Sequence, residues 1–188
     1  MTLVVGLGNI GDKYRETRHN IGFLVIDQLL NEFNTKKISN PLFKGDLYKD
    51  GDLLFLKPST YMNLSGESII AVKNFYKADN LIIIHDDLDL SFGAIRFKIG
   101  GGTGGHNGLK SLDEISKNSG LRVRMGIGKP TDGREIADFV LSNFSDLEKK
   151  CLKIFIELGK DSIISVINNG WERTASLSSK KSAIDYCK

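Results

Sequence analysis

Three polar clusters hold the side chains that could do chemistry, and each follows a strand or strand-like run. The first is Gly6-Leu-Gly-Asn-Ile-Gly11, with Tyr14 and Thr17-Arg-His-Asn20 behind it. The second is Lys57-Pro-Ser-Thr-Tyr-Met-Asn63. The third is His85-Asp86-Asp87-Leu-Asp89, with Gly100-Gly-Gly-Thr-Gly-Gly-His106-Asn107-Gly108 downstream. The chain's three histidines, His19, His85 and His106, all fall in these clusters. Together they offer a candidate base (His19), candidate orienting carboxylates (Asp86, Asp89) and neutral amides (Asn9, Asn63, Asn107). There is no GxSxG nucleophile elbow, and neither cysteine lies in a polar motif. Such a set suits attack by water on a substrate, assisted by a general base, with no covalent intermediate.

Other chemistries compete for the same residues. Glycines 6, 8 and 11 match the GxGxxG dinucleotide fingerprint, and Asp27 lies about twenty residues on, where an acidic residue is wanted. That fingerprint needs a helix opening at the glycines and aimed at the pyrophosphate. Here the polar stretch Asp12–Asn20 intervenes, and Asp27 sits inside a helical pattern rather than ending a second strand. The glycines fit better as a sharp turn that brings Asn9 to the strand's C-terminal edge. The His/Asp cluster could ligate a metal, but three histidines without HExxH-type spacing make a thin ligand set. The glycine run is not a phosphate-binding GxxxxGK[ST], because Leu109 separates Gly108 from Lys110. It reads as a closely approached backbone whose amides could meet phosphate or ribose.

The chain of 188 residues is 40% hydrophobic and 26% charged, which describes a globular domain with a core of its own. Its net charge of +3 is unevenly spread. Residues 91–134 hold eight basic side chains (Arg96, Lys98, Lys110, Lys117, Arg122, Arg124, Lys129, Arg134) against three acidic ones (Asp113, Glu114, Asp132). That segment is +5 and the remainder −2. A polyanion partner and a merely Lys-rich solvated surface both explain it. No apolar run approaches the roughly 20 residues of a membrane span, so no membrane partner is expected. Thr2–Val5 is too short for a signal-peptide core. Cys151 and Cys187 form no CxxC pair and no disulfide framework, so a reducing, cytoplasmic setting is expected.

The elements that must position these groups follow from patterning. Thr2–Leu7 reads as a strand and Ile21–Phe33 as an amphipathic helix. Asp46–Leu56 reads as a hairpin turning at Asp50-Gly51, and Gly66–Tyr76 as a helix with Glu67 in its first turn. The continuous run Leu81–Ile84 suits a strand buried on both faces. Ala94–Ile99 predicts a strand and Gly108–Ser116 a helix. Leu121–Ile127 alternates as a half-buried strand showing its arginines to solvent. Ser145 and Glu148 form a capping box before a helix with Leu147, Cys151, Ile154, Phe155 and Leu158 on one stripe. Asp161–Asn169 continues it, and Gly170 stops it. The polar tail, about residues 173–188, should pack weakly or fray. The fold class expected is α/β: one domain over residues 1–188, with a mixed twisted β-sheet flanked by helices.

At this point the motifs resemble the bacterial peptidyl-tRNA hydrolase family. The resemblance rests on Val5–Gly11 with Tyr14 and Thr17–Asn20, Lys57–Gly66, His85–Leu90, Gly100–Leu109 and Arg124–Pro130, in the family's order. Two loop positions depart from it: Ile10 and Ser91 stand where the family usually has proline. The resemblance implies hydrolysis of the ester joining a peptide to the 3′-terminal ribose of tRNA, recycling tRNA after aborted translation. It implies a metal-free monomer with no cofactor. It makes His19 the general base, Asp86 the residue that orients it, and Asn9 the third member of the catalytic set, where N-blocked substrates are told from free aminoacyl-tRNA. Met62, Asn63 and Asn107 match residues that bind the 3′ end and peptide backbone. Tyr14 and Tyr61 match contacts with the tRNA end, and Lys98 and Arg124 match a phosphate-binding pair for the acceptor stem. His106 stays outside the catalytic set, and His85 is taken as structural. A non-catalytic RNA-binding adapter on the same fold is the alternative.

Overall fold

This computed structural model describes residues 1–116, 120–178 and 182–187. In chain order its elements are β1 (Thr2–Gly6), α1 (Ile21–Leu30), β2 (Lys36–Ile38), β3 (Gly45–Asp50), β4 (Leu53–Pro58), α2 (Ser65–Tyr76) and β5 (Asn80–Asp87). Then follow β6 (Ile95–Ile99), α3 (Asn107–Ile115), β7 (Leu121–Gly126), α4 (Ile136–Val140), α5 (Asp146–Asn169) and α6 (Trp171–Ser178). Among the described residues the strands form one seven-stranded sheet in the order β2-β3-β4-β1-β5-β7-β6. The α/β class with a mixed sheet is therefore as expected.

Alternating side chains feed two cores. Val4, Ile82, Ile84, Val123 and Met125 face α1 and α5, where Val25, Ile26, Phe155 and Ile163 meet them. Leu3, Val5, Leu54, Leu56 and Ile83 face the opposite side, under Ile69 and Val72 of α2 and Leu109 and Leu112 of α3. The central strands are parallel, with β1 between β4 and β5 and β5 beside β7. The edges are antiparallel, with β2-β3-β4 on one side and β6-β7 on the other. From β1 the chain crosses by α1 to β4, then returns by α2 to β5. The connections diverge around β1, and the C-terminal ends of the strands at such a switch point form the crevice where open α/β sheets bind ligands.

The glycine motif serves packing more than turning. A Cβ on Gly6 would lie 2.2 Å from the Gly22 carbonyl oxygen, and one on Gly22 would lie 2.5 Å from Leu7 N. Bare backbone on both sides thus lets α1 press against the end of β1, and of the three motif glycines only Gly11 sits at positive φ. The helix opens at Ile21, after two short 3-10 turns, not at the glycines.

Several sequence expectations are corrected. The hairpin turns at Gly51-Asp52, since Asp50 pairs with Leu53. Arg122 does not show itself to solvent: α3 covers its side of β7, and it pairs with Asp113 and donates to Gly102 O at 2.7 Å. Leu147 leaves the α5 stripe and is exposed, while Ile163 and Val166 extend that stripe inward. The described tail residues do not fray. Ala183 is fully buried and its N–H donates to Gly93 O. Cys151 and Cys187 form a disulfide across 36 residues, with Cα atoms 5.4 Å apart. The pairing is invisible in spacing because it needs the tail to fold back along α5. Lys117, and Ser179, Lys180, Lys181 and Lys188 of the tail, lie outside the described residues.

Candidate active site

Asp86 is the hub of the site. It stands near the C-terminal end of β5, buried to 3% exposure. His19 comes from the 3-10 turn that leads into α1, and its Nδ1 lies 2.9 and 3.0 Å from the two Asp86 carboxylate oxygens. His106, the residue before α3, places Nε2 2.9 Å from Oδ1 of the same carboxylate. Its Nδ1 accepts a hydrogen bond from Gly108 N–H at 3.1 Å, which puts the ring proton on Nε2. Asp86 therefore accepts from both rings. His19 carries its proton on Nδ1 and presents an Nε2 lone pair. Burial alone would push the Asp86 carboxyl up. The two histidines, by charge and hydrogen bond, outweigh it and hold Asp86 well below the usual carboxylate range.

His85 occupies the next position back. Its Nδ1 donates to the Asp86 carbonyl at 2.8 Å, and its buried Nε2 has no protein partner. Burial, reinforced by neighbouring His106, pushes its pKa down to about 3. The rings form a row, with centroids 4.8 Å apart for His19–His106 and 5.1 Å for His85–His106.

A second network builds the Asn9 side. Asn20 clamps the backbone of Asn9 at two points: its Oδ1 accepts from Asn9 N and its Nδ2 donates to Asn9 O, both at 2.8 Å. Asn9 Oδ1 accepts from Met62 N–H at 2.8 Å. That bond settles which way the amide faces and leaves its Nδ2 donor for a ligand. Met62 follows Tyr61, whose φ of 58° and ψ of 163° fall in a region that side chains avoid. Such backbone strain costs on the order of 1–3 kcal/mol and gathers at functional sites. Tyr61 stands half exposed and meets Tyr14 edge-on at 6.5 Å.

The sequence candidates thus fall into three neighbouring places. His19, Asp86 and Asn107 line a cleft of about 250 Å³, with His106 and the apolar Leu88, Ile136 and Val140. Asn9 and Met62 are joined by their hydrogen bond. Tyr14, Tyr61 and Asn63 lie toward solvent around them. Lys98, Arg122 and Arg124 line a second cavity of about 230 Å³, which shares His85, Asp87 and Thr103 with the first. Within it Arg124 Nε holds Asp87 at 2.7 Å. Asp89, the other candidate orienting carboxylate, is remote from His19 in role: it pairs with Lys129 at the surface.

Three residues outside the expected site set take part in the networks that build it. His106, expected outside the catalytic set, shares Asp86 with His19. Asn20, adjacent to His19, holds the Asn9 loop. Arg18 is buried beneath α4. Asn20 and Arg18 had one signal, their place in the polar stretch beside His19. His106 ends a glycine run that carries no periodicity from which to place it. Among the described residues, His19, Asp86 and His106 are also the group whose ligand atoms come close enough to share a metal ion, within 4.8 Å. His19 Nδ1 and His106 Nε2 are hydrogen-bonded to the carboxylate of that group.

Comparison with known proteins places this geometry. The family described as Peptidyl-tRNA hydrolase matches residues 3–185. The chain is 51% identical to the peptidyl-tRNA hydrolase of Campylobacter lari over 176 residues, 94% of this chain and 97% of that one. It is 59% identical to that of Wolinella succinogenes over 153 residues, 81% of this chain and 80% of that one. A crystal structure of peptidyl-tRNA hydrolase from Acinetobacter baumannii superimposes with a TM-score of 0.89 at 31% identity, covering 97% and 96% of the two chains.

Proposed function

The chain belongs to the peptidyl-tRNA hydrolase family, enzymes that hydrolyse the ester between a peptide and its tRNA, and from that premise we propose how its own residues carry the reaction. His19 Nε2 takes a proton from a water molecule in the cleft as that water attacks the ester carbonyl. Asp86, on the far side of the ring, holds the productive tautomer and stabilises the imidazolium as it forms. When the tetrahedral intermediate collapses, the imidazolium returns the proton to the ribose oxygen, which leaves. The products are a peptide carboxylate and tRNA with a free hydroxyl. General-base action of this kind contributes about 10²–10⁴-fold, roughly 3–5 kcal/mol of barrier. The observation that carries the assignment is the buried His19–Asp86 pair at 2.9 Å, with Nε2 left for the substrate side.

Asn9 keeps its Nδ2 donor for a ligand, because its oxygen already accepts from Met62 N–H. A donor matches the carbonyl of an N-acyl linkage and opposes a free ammonium, which is itself a donor. That supports Asn9 as the group that separates N-blocked substrates from free aminoacyl-tRNA. Asn107 at the cleft wall and Asn63 outside it bind the 3′ end and peptide backbone beside Met62. Tyr14 and Tyr61 offer faces for stacking, worth about 1–3 kcal/mol per base. Lys98 and Arg124, brought together around one cavity, take acceptor-stem phosphate. The family's place in translation supports a monomer acting in the cytoplasm. No described helix is long and apolar enough to cross a membrane.

Single-turnover cleavage of N-acetyl-aminoacyl-tRNA, beside free aminoacyl-tRNA and His19→Ala, tests the reading. Cleavage of the blocked substrate alone, lost by orders of magnitude in the variant at unchanged tRNA affinity, is the expected result. Salt-sensitive tRNA binding without cleavage would leave the adapter reading in its place.

A further inference from the structure

Arg18 lies immediately before His19, and its side chain is almost wholly buried. All its partners belong to one segment, residues 139–148. The guanidinium lies over the Phe139 ring at 4.4 Å and near Phe144 at 5.5 Å. Nη1 donates to Ser142 Oγ at 2.7 Å and Asn143 O at 2.5 Å, and Nη2 to Glu148 Oε2 at 2.6 Å. Glu148 Oε2 also accepts from Ser145 N, so one carboxylate closes the capping box of α5 and anchors Arg18. The backbone repeats the attachment: Arg18 N–H donates to Ser142 O, and Thr17 bridges to Asn143.

What this arrangement supports is α4. That helix has five residues, too few to be stable alone. Residues 131–138 are exposed, so the segment is seated through Phe139 and Val140. Yet Ile136, Ala137 and Val140 supply apolar lining to the same cleft as His19 and Asp86. The planar Arg18 group fills the space beneath Phe139 and reaches four acceptor atoms in a fixed fork, counting the longer 3.3 Å contact to Ser142 O. Lysine has neither the plane nor the fork.

We infer that Arg18 is a positioning residue for the hydrolysis: it sets the height of the α4 wall over His19, and so how the side chain next to the scissile ester fits the cleft. This rests on the reading of His19 as the base. Arg18 does not touch substrate; it acts through Phe139 and Val140. Removing it lets α4 lift, which penalises a substrate with a large apolar side chain beside the ester more than one with none.

The test compares kcat/KM for N-acetyl-phenylalanyl-tRNA and N-acetyl-glycyl-tRNA in wild type, Arg18→Lys, Ser142→Ala and Val72→Ala. Comparing each variant's ratio with the wild-type ratio cancels differences between the two tRNA bodies. Val72 lies in the other core, under α2, and supplies a variant destabilised away from α4. Arg18→Lys should lower kcat/KM at least tenfold for the phenylalanyl substrate and shift the ratio at least fivefold, with affinity for uncharged tRNA within twofold of wild type. Ser142→Ala, which removes the Oγ bond to Arg18 together with those to Arg134 and Phe139 O and leaves the stack, should shift the ratio in the same direction by about two- to threefold, and it carries the test if the lysine variant does not fold. Val72→Ala should leave the ratio unchanged despite a lower melting temperature. Equal losses on both substrates, or a ratio shift in Val72→Ala as well, would overturn the inference and reduce Arg18 to a stabilising residue. Undiminished cleavage by His19→Ala would instead overturn the reading of the base on which the inference stands.

Discussion

Replacing Asp86 by asparagine separates the orienting role of the carboxylate from its volume. Asp86 accepts from His19 Nδ1 at 2.9 Å and His106 Nε2 at 2.9 Å. An asparagine of the same shape has one acceptor oxygen and an NH2 group that donates. His106 cannot reverse its proton without losing its bond from Gly108 N–H. The oxygen therefore stays with His106, and the NH2 turns toward His19. The NH2 in place of Oδ2, 3.0 Å from His19 Nδ1, then meets the Nδ1 proton donor to donor, which favours the ring carrying its proton on Nε2, the atom required as base. Loss of one charge-assisted hydrogen bond to the forming imidazolium is worth about 2–3 kcal/mol, a factor of roughly 30–150. The tautomer penalty adds to it. We expect a loss of about 10³-fold in the single-turnover rate, near 4 kcal/mol of barrier. The assay is cleavage of N-acetyl-aminoacyl-tRNA at saturating enzyme, with tRNA affinity and a thermal melt measured on the same preparation. A loss below tenfold in a folded variant that binds tRNA normally would refute the argument, because a base that works without its carboxylate was never oriented by it.

Stability should also respond to pH through the neighbouring histidine. His85 is pushed down to about 3 in the native state, whereas an unfolded chain takes up its proton near 6.5. The unfolded state thus binds more protons between these values, so stability falls as pH is lowered, by about 2 kcal/mol at pH 5. Asp86 adds a loss that begins as pH falls through the ordinary carboxylate range, where the unfolded chain protonates and the native carboxylate does not. Urea midpoints of His85→Leu should be flatter than wild type from pH 7 to pH 5, and an unchanged slope would contradict this. Lys98→Ala and Arg124→Ala should each reduce the salt dependence of tRNA affinity by about one unit of slope while sparing cleavage at saturation; binding curves from low to moderate salt would expose a wrong assignment as an unaltered slope. Reducing the Cys151–Cys187 disulfide opens a loop of 36 residues, worth up to about 4 kcal/mol in chain entropy, and should lower Tm by up to about 10 °C. Equal melts with and without reductant would show that the tail is held by its packing alone.

Legibility in the sequence differed by the kind of signal. Apolar alternation located β1, β5 and β7 because period-two burial is local. It could not say what covers a face, and Arg122 shows the cost: alternation put it outside, and α3 with Asp113 closes over it. The ends of parallel strands were legible as polar clusters, and these carry His19, Asp86 and Asn9. The place of His106 beside Asp86 was not legible, because a glycine run has no side-chain pattern and its path is set by backbone contacts such as the Arg122 bond to Gly102 O. The tail looked loose because its composition is polar. Its order comes from Ala183 against Gly93 and from a disulfide partner on another element. Arg18 belongs to a motif whose residues 17–20 are all buried, and only its side-chain partners in residues 139–148 distinguish it from its neighbours.

The order of strands in the sheet also governs when this molecule comes into being. His19 must wait 67 residues for Asp86, and Arg18 waits 130 for Glu148. Loop closure over such spans precedes any reward from the contacts it allows, which slows folding. An amino-terminal stretch ending before β7 would leave β5 with a bare edge of unpaired N–H and C=O groups, a template for adhesion to other chains. During synthesis the nascent chain is therefore both catalytically silent and aggregation-exposed until its last third emerges, and its dependence on chaperones should be greatest in that interval.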